Sequence, residues 1–182
     1  LKGHGHLDDI YYDVAYGDTR DDGRFWMFGL AGALPSSQDG SIERDQYLLG
    51  PQAAFGRIYD WGIFGVWARH YIDVANQSRG ESQHPVDWET NETRLRLIFA
   101  YGLGDGWQIV SNPEITYDFE GASGNRVLLP LGAGVAKTFR VGRVSMKAGL
   151  EAYYYAASPD AFGPEWEVRF NLAPVLSFWS LD

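Results

Sequence analysis

Residues 92–101 read Glu-Thr-Arg-Leu-Arg-Leu-Ile-Phe-Ala-Tyr, and residues 165–172 read Glu-Trp-Glu-Val-Arg-Phe-Asn-Leu. In an extended chain successive side chains point to opposite faces, so each stretch has two sides of opposite character. One side carries Thr93, Leu95, Leu97, Phe99 and Tyr101, then Trp166, Val168, Phe170 and Leu172. The other carries Glu92, Arg94 and Arg96, then Glu165, Glu167 and Arg169. The same division runs through Trp107–Glu120, where Trp107, Ile109, Ser111, Pro113, Ile115, Tyr117 and Phe119 lie opposite Glu114, Asp118 and Glu120. It recurs in Val144–Ala157, where Val144, Met146, Ala148, Leu150, Ala152, Tyr154 and Ala156 lie opposite Lys147 and Glu151. Across the four segments one face holds no charged residue at all.

Period-2 alternation of this kind predicts strands. Outward from these four, the pattern gives five more: Leu7–Gly17, Arg24–Pro35, Tyr47–Tyr59, Trp61–Val74 and Arg126–Phe139. Several exceed the ~5–6 residues of an ordinary globular strand and suit the ~9–11 residues that cross a bilayer at a tilt. The connections alternate in length. Asp60, Gly104-Asp105-Gly106 and Val141-Gly142-Arg143 are short corners, and Gly17–Arg24 is intermediate. Ser36–Gln46, Ala75–Asn91, Gly121–Asn125 and Ser158–Pro164 are longer and polar. Short turns at one end and long loops at the other are the layout of an outer-membrane barrel.

Composition agrees with a strand-rich chain. The 182 residues include 22 Gly and 28 aromatics (7 Trp, 11 Tyr, 10 Phe), and no linker or low-complexity tract divides them. We read residues 1–182 as one domain. A net charge of −9 argues against nucleic acid as a partner. With no cysteine there is neither a disulfide framework nor a thiolate metal site. No apolar run approaches the ~18 residues of a membrane-spanning helix.

The free-energy cost of burying charge in lipid decides which face is outside. An Arg or Lys facing lipid costs roughly 2–4 kcal/mol at the bilayer midplane. Turning Arg94, Arg96, Lys147 and Arg169 outward would cost about 8–16 kcal/mol, as much as the ~5–15 kcal/mol stability of a whole fold. The charge-free face is therefore expected against lipid and the charged face inside. A soluble lipocalin-like barrel has the same period with the faces exchanged. Trp107, Tyr117, Tyr154 and Trp166, near strand ends with Ala and aliphatic residues between, favour the lipid reading because aromatics collect at membrane interfaces. Arg126–Phe139 differs from the rest. Its inner side is Leu128, Pro130, Gly132, Gly134 and Ala136, read as room for bulky neighbours such as Tyr153 and Tyr155, with a locally wider lumen as the alternative. Pro113, Pro130 and Pro174 lack a ladder donor, and each predicts a bulge or break.

In the second half, a run of motifs resembles a known family. They are Gly106-Trp107, Ser111-Asn112-Pro113, Tyr117–Glu120, Ser123-Gly124-Asn125-Arg126, Pro130-Leu131-Gly132-Ala133-Gly134-Val135 with Lys137 and Phe139, Ala152-Tyr153-Tyr154, and Pro164-Glu165-Trp166-Glu167-Val168-Arg169-Phe170. Weaker echoes lie in Leu7-Asp8-Asp9-Ile10, Leu34-Pro35 and Gly50-Pro51. Taken in order they resemble the transporter-like outer-membrane β-barrels grouped with the meta-pathway of phenol degradation. The resemblance implies a barrel in the outer membrane of a Gram-negative bacterium that passes small organic solutes, aromatic ones among them, with no catalytic residues. The chain departs from that pattern in its ending, Trp179-Ser180-Leu181-Asp182, and in its shorter amino end.

The expected fold is an all-β, antiparallel, up-and-down transmembrane barrel with its C-terminus on the periplasmic side. Nine strands is an odd count, whereas bacterial single-chain barrels have even numbers. Either further strands precede Leu1, making a barrel of about ten to twelve, or Leu7–Gly17 stands outside the wall and leaves eight. The candidate lumen residues are Arg94, Arg96, Glu114, Asp118, Glu120, Lys147, Glu151, Tyr153, Glu167 and Arg169. We expect Glu114, Asp118 and Glu120 to pair with Arg94 and Arg96, and Glu151, Glu167 and Arg169 to form a network with Lys147. Such charges either seal a narrow lumen or select solutes at a constriction. The first function expected is a passive channel; the rival is a plugged structural or adhesion barrel. An outer-membrane lipid-modifying enzyme is a third reading, with Ser111 and His70 its only candidates and no acid partner. No cofactor and no metal are expected: His4-Gly5-His6 offers too few convergent ligands, and His84 stands alone in a polar loop. Trp88 and Phe162 either guide apolar solutes or pack the loops. Asn91-Glu92-Thr93 matches a glycosylation sequon by coincidence. The expected partners are outer-membrane lipid and the solute itself.

Overall fold

A computed structural model of the chain describes residues 10–34, 46–76, 90–159 and 163–175. Every element among them is a strand: β1 (Ile10–Thr19), β2 (Arg24–Leu34), β3 (Gln46–Tyr59), β4 (Gly62–Asn76), β5 (Asn91–Gly104), β6 (Trp107–Ser111), β7 (Glu114–Asp118), β8 (Val127–Val141), β9 (Val144–Ala157) and β10 (Trp166–Val175). They form one antiparallel meander, ordered β1-β2-β3-β4-β5-β6-β8-β9-β10, with β7 also lying between β5 and β8. Each of the nine expected segments is thus a ribbon of the sheet. The expected starts at Leu7 and ends at Pro35 and Phe178 lie outside the described residues, as do His4, His6, His84, Trp88 and Phe162.

The split between β6 and β7 lies at Asn112-Pro113. Phe99 pairs with Ser111 and Arg96 with Glu114, so one register on β5 continues straight across the gap. The two strands are one ribbon with a local break. Pro113 has no N–H for the ladder, and the Asn112 N–H turns instead to the Tyr153 hydroxyl at 2.8 Å. At Pro130 the expected irregularity is a register shift between Leu129 and Pro130 against β9. Pro174 departs from expectation. The ladder runs through Pro174 and Met146 without a shift, because β10 has a ladder partner on one side only and an edge tolerates a missing donor.

Turns at one end of the sheet are tight. Gly104, Asp105 and Gly106 all have positive φ, as do Gly23 and Gly142, a backbone region open to glycine at no steric cost. In the β1–β2 turn the Arg24 backbone N–H donates to Asp22, holding that carboxyl below the usual range against the opposing effect of burial. β2, β4, β7 and β9 all finish at the opposite end, where the longer connections of the sequence begin. The loops are therefore sorted by side.

The two faces differ as their residues dictate. The concave face buries Ala31, Ala33, Leu48 and Tyr71 as one cluster, and also Gln46, Gln52, Glu92 and Glu151. The convex face exposes Val14, Tyr16, Phe28, Leu30, Phe55, Leu131, Leu150, Val168 and Phe170 among many others, Val168 to 72% and Phe170 to 68%. The sheet is strongly curled. In a flat sheet β1 and β5 would stand about 19 Å apart, yet the Arg94 guanidinium of β5 lies 5.5 Å from the ring centroid of Tyr11 on β1. Among the described residues β1 pairs with β2 alone and β10 with β9 alone. Its full-length ladder to β2 makes β1 a strand of the sheet, so the reading that sets Leu7–Gly17 apart from the other strands does not hold.

Candidate functional site

The concave face gathers the charged residues into three groups. In the first, Glu114 of β7 receives Arg96 at 2.6 Å from the neighbouring β5 and also Arg69 from β4. Both guanidiniums lie over the Trp67 ring, at 4.4 Å for Arg69 and 5.6 Å for Arg96. Two cations here share one carboxylate, and the buried Nε atoms of Arg69 and Arg96 have no acceptor among the described residues. The group carries an excess positive charge. In the second, Arg94 grips Glu92 on its own strand through Nε at 2.7 Å and Nη2 at 2.5 Å, and its guanidinium covers Tyr71 and Tyr11. Residues i and i+2 share a face of a strand, so this pairing is local rather than cross-strand.

The third group spans β6 to β10. The Glu151 carboxylate accepts from the Tyr153 hydroxyl, from Asn112 Nδ2 at 3.2 Å and from Asn171 Nδ2 at 3.2 Å. Beside it Arg169 donates to Glu167 at 3.0 Å, Glu167 also accepts from the Tyr155 hydroxyl at 2.7 Å, and the Arg169 guanidinium stacks on Tyr153. Gly132 and Gly134 of β8 face Tyr153 and Glu151 directly in the ladder. A Cβ at either position would collide with the backbone of β9 and with those two side chains. The glycines therefore make room for Tyr153 and Glu151; Tyr155 instead pairs with Pro130.

Measured against the expected network, Arg96 and Glu114 pair as foreseen. Asp118 and Glu120 do not reach Arg94: Asp118 accepts the Glu120 backbone N–H at 3.0 Å, and Glu120 accepts from Asn91 at 3.3 Å, at the long-loop end. Lys147 joins no acid among the described residues. Arg69, Trp67, Tyr71, Tyr11, Asn112 and Asn171 complete the groups, and none of the six was a lumen candidate from the sequence. The alternation Trp67-x-Arg69-x-Tyr71 in β4 carries the signal for three of them.

His70 and Ser111 do not meet. His70 pairs with Thr93 and Ser111 with Phe99 along β5, six residues or about 20 Å apart. Ser111 donates to the Gly132 carbonyl at 2.7 Å, and the His70 ring contacts Thr93 at 2.9 Å. No group of three or more His, Cys, Asp or Glu that could hold a metal occurs among the described residues, and no helix there is long and apolar enough to cross a membrane. Compared with protein-family models, with curated proteins and with solved structures, the chain matches none.

Proposed function

We propose that the chain is the wall of a transmembrane β-barrel in a bacterial outer membrane and forms a passive path for small organic solutes. One observation carries this reading: the sheet is inverted relative to a water-soluble one. Its convex face is a continuous apolar surface rich in Trp, Tyr, Phe and Leu, while the Arg69–Glu114 and Arg94–Glu92 pairs lie largely covered on the concave side. Monomeric soluble proteins rarely expose a contiguous apolar patch beyond a few hundred Å², whereas a lipid-facing wall needs one. The strong curl and the sorting of loops by side support closure into a barrel. The resemblance to the phenol meta-pathway barrels, carried by the motifs between residues 106 and 170, adds aromatic compounds to the solutes in view.

Translocation needs no chemistry. Arg69, Arg96 and Glu114 form a polar constriction over Trp67, and the surplus cation there tilts the path toward anions despite the chain's net charge of −9. A sealed barrel is the second reading, favoured by the Arg94, Tyr71 and Tyr11 contact that spans the concave side. Planar-bilayer recording on the refolded full-length protein separates the two. We expect discrete conductance steps with anion preference, reduced or reversed by Arg96→Glu. An absence of current would establish the sealed form, and an unchanged selectivity would remove the constriction.

A further inference from the structure

We infer that the cavity on the concave side of β6, β8, β9 and β10 binds a small organic carboxylate. The inference deepens the reading of this face as a solute path and names the solute class. The cavity holds about 290 Å³, and its lining includes Val110, Ala136, Lys147, Glu151, Arg169 and Ala173.

The charge and hydrogen-bond partners in this cavity single out Lys147. Glu151 is nine-tenths or more buried, and its two carboxylate oxygens are satisfied by the Tyr153 hydroxyl and by the Asn112 and Asn171 amides. These three donors occupy its oxygens, and the Lys147 ammonium is not among them. Arg169 directs its guanidinium edge to Glu167. The Lys147 ammonium is left without an acceptor among the described residues, and its ladder neighbours are Thr138 and Ala173. A half-buried ammonium without a counter-charge is unfavourable, and an incoming carboxylate relieves it. An ammonium ligand would meet the like charge of Lys147 and find the Glu151 oxygens already taken by their donors.

The remaining wall fixes the rest of the ligand. Val110 and Ala136 are buried and apolar, and Ala173 extends the same small-residue surface onto β10. That surface accepts a short hydrocarbon. The volume lies at the lower edge of the ~300–1,000 Å³ common to small-molecule sites, which suits a ligand of few carbons. Phosphate is less well matched. Bidentate phosphate recognition uses a free guanidinium fork, and the Nε–Nη2 edge of Arg169 is taken by Glu167.

Isothermal titration of the full chain in lipid nanodiscs tests the site with pentanoate, 1-pentanol and pentylammonium, which share one hydrocarbon and differ in charge. Pentanoate is expected to saturate a single site, pentanol to bind about tenfold more weakly or less, a difference measurable as a shift in Kd, and pentylammonium to give no heat above dilution. Lys147→Met is expected to weaken pentanoate at least as far as the alcohol, and Lys147→Arg to retain it. Ala173→Leu, which fills the cavity and leaves every charge in place, should abolish binding even if Lys147→Met fails to fold. Pentanoate binding that survives Lys147→Met or Ala173→Leu, pentylammonium binding equal to pentanoate, or no pentanoate binding would each overturn the assignment. Transport stands apart from this outcome. A barrel that passes no current yet binds pentanoate through Lys147 retains the site and loses the channel, and a conducting barrel without such binding does the reverse.

Discussion

Gly134 is one of the glycines whose neighbours leave no room for a side chain. It faces Glu151 in the ladder, and any Cβ there meets the Leu150 carbonyl and the Glu151 side chain. Overpacking of this kind typically costs about 1–3 kcal/mol. We expect Gly134→Val to lower stability by that order in denaturant unfolding of the lipid-inserted protein. Gly149→Ala is the control, because a Cβ at Gly149 meets nothing closer than 3.4 Å, an ordinary contact. Equal losses at the two positions would mean that glycine in this sheet matters for its backbone alone. The inward side of Arg126–Phe139 already announced small residues in the sequence, but which large side chains occupy the space depended on register, which pairs Tyr153 with Gly132 and Glu151 with Gly134.

At the scale of the element, the break between β6 and β7 shows how one residue type interrupts a strand without displacing it. Pro113 removes a donor, its predecessor's N–H is taken by Tyr153, and the register on β5 is the same on both sides. Tyr153→Phe removes both the acceptor for Asn112 and a donor to Glu151. Leaving a buried group unsatisfied costs about 1–3 kcal/mol, and the same order of destabilisation is expected here. Hydrogen exchange at the Asn112 amide should accelerate beyond that of its neighbours. Uniform exchange along the ribbon would show that the hydroxyl does not hold the break. The proline was legible from sequence. The tyrosine that compensates for it was not, since forty-odd residues separate the two along the chain.

Two predictions belong to the whole molecule. Leu150 is 53% exposed on the convex face. If lipid covers that face, Leu150→Arg costs roughly 2–4 kcal/mol; on a water-facing surface the same change stays within about 0.5 kcal/mol. We expect the larger loss, measured by denaturant unfolding in vesicles. The second prediction concerns the edges. β1 and β10 are the first and last of nine ribbons, so both run from the long-loop end toward the short-turn end. Direct closure would require a parallel seam, whereas an all-antiparallel wall takes an odd number of further strands between them. The chain has no native cysteine, so a Val14→Cys, Val168→Cys pair reports the seam cleanly. No intramolecular disulfide is expected, and rapid formation of one would establish the parallel closure.

Alternation by itself determined the strands and the two faces, because a period of two is a local property of extended chain and needs no knowledge of neighbours, and the short turns added their antiparallel order. The turn glycines and the sorting of loop lengths were local in the same sense. Pairing among the charges was decided only by tertiary structure. Arg94 turned to Glu92 on its own strand, Arg69 arrived from β4 to share Glu114, and Lys147 was left in a cavity with no ion-pair partner among the described residues. Each outcome follows from register and curl, which set the distances between side chains on different strands. Electrostatic attraction falls off with that distance, and the order of residues along the chain does not specify it.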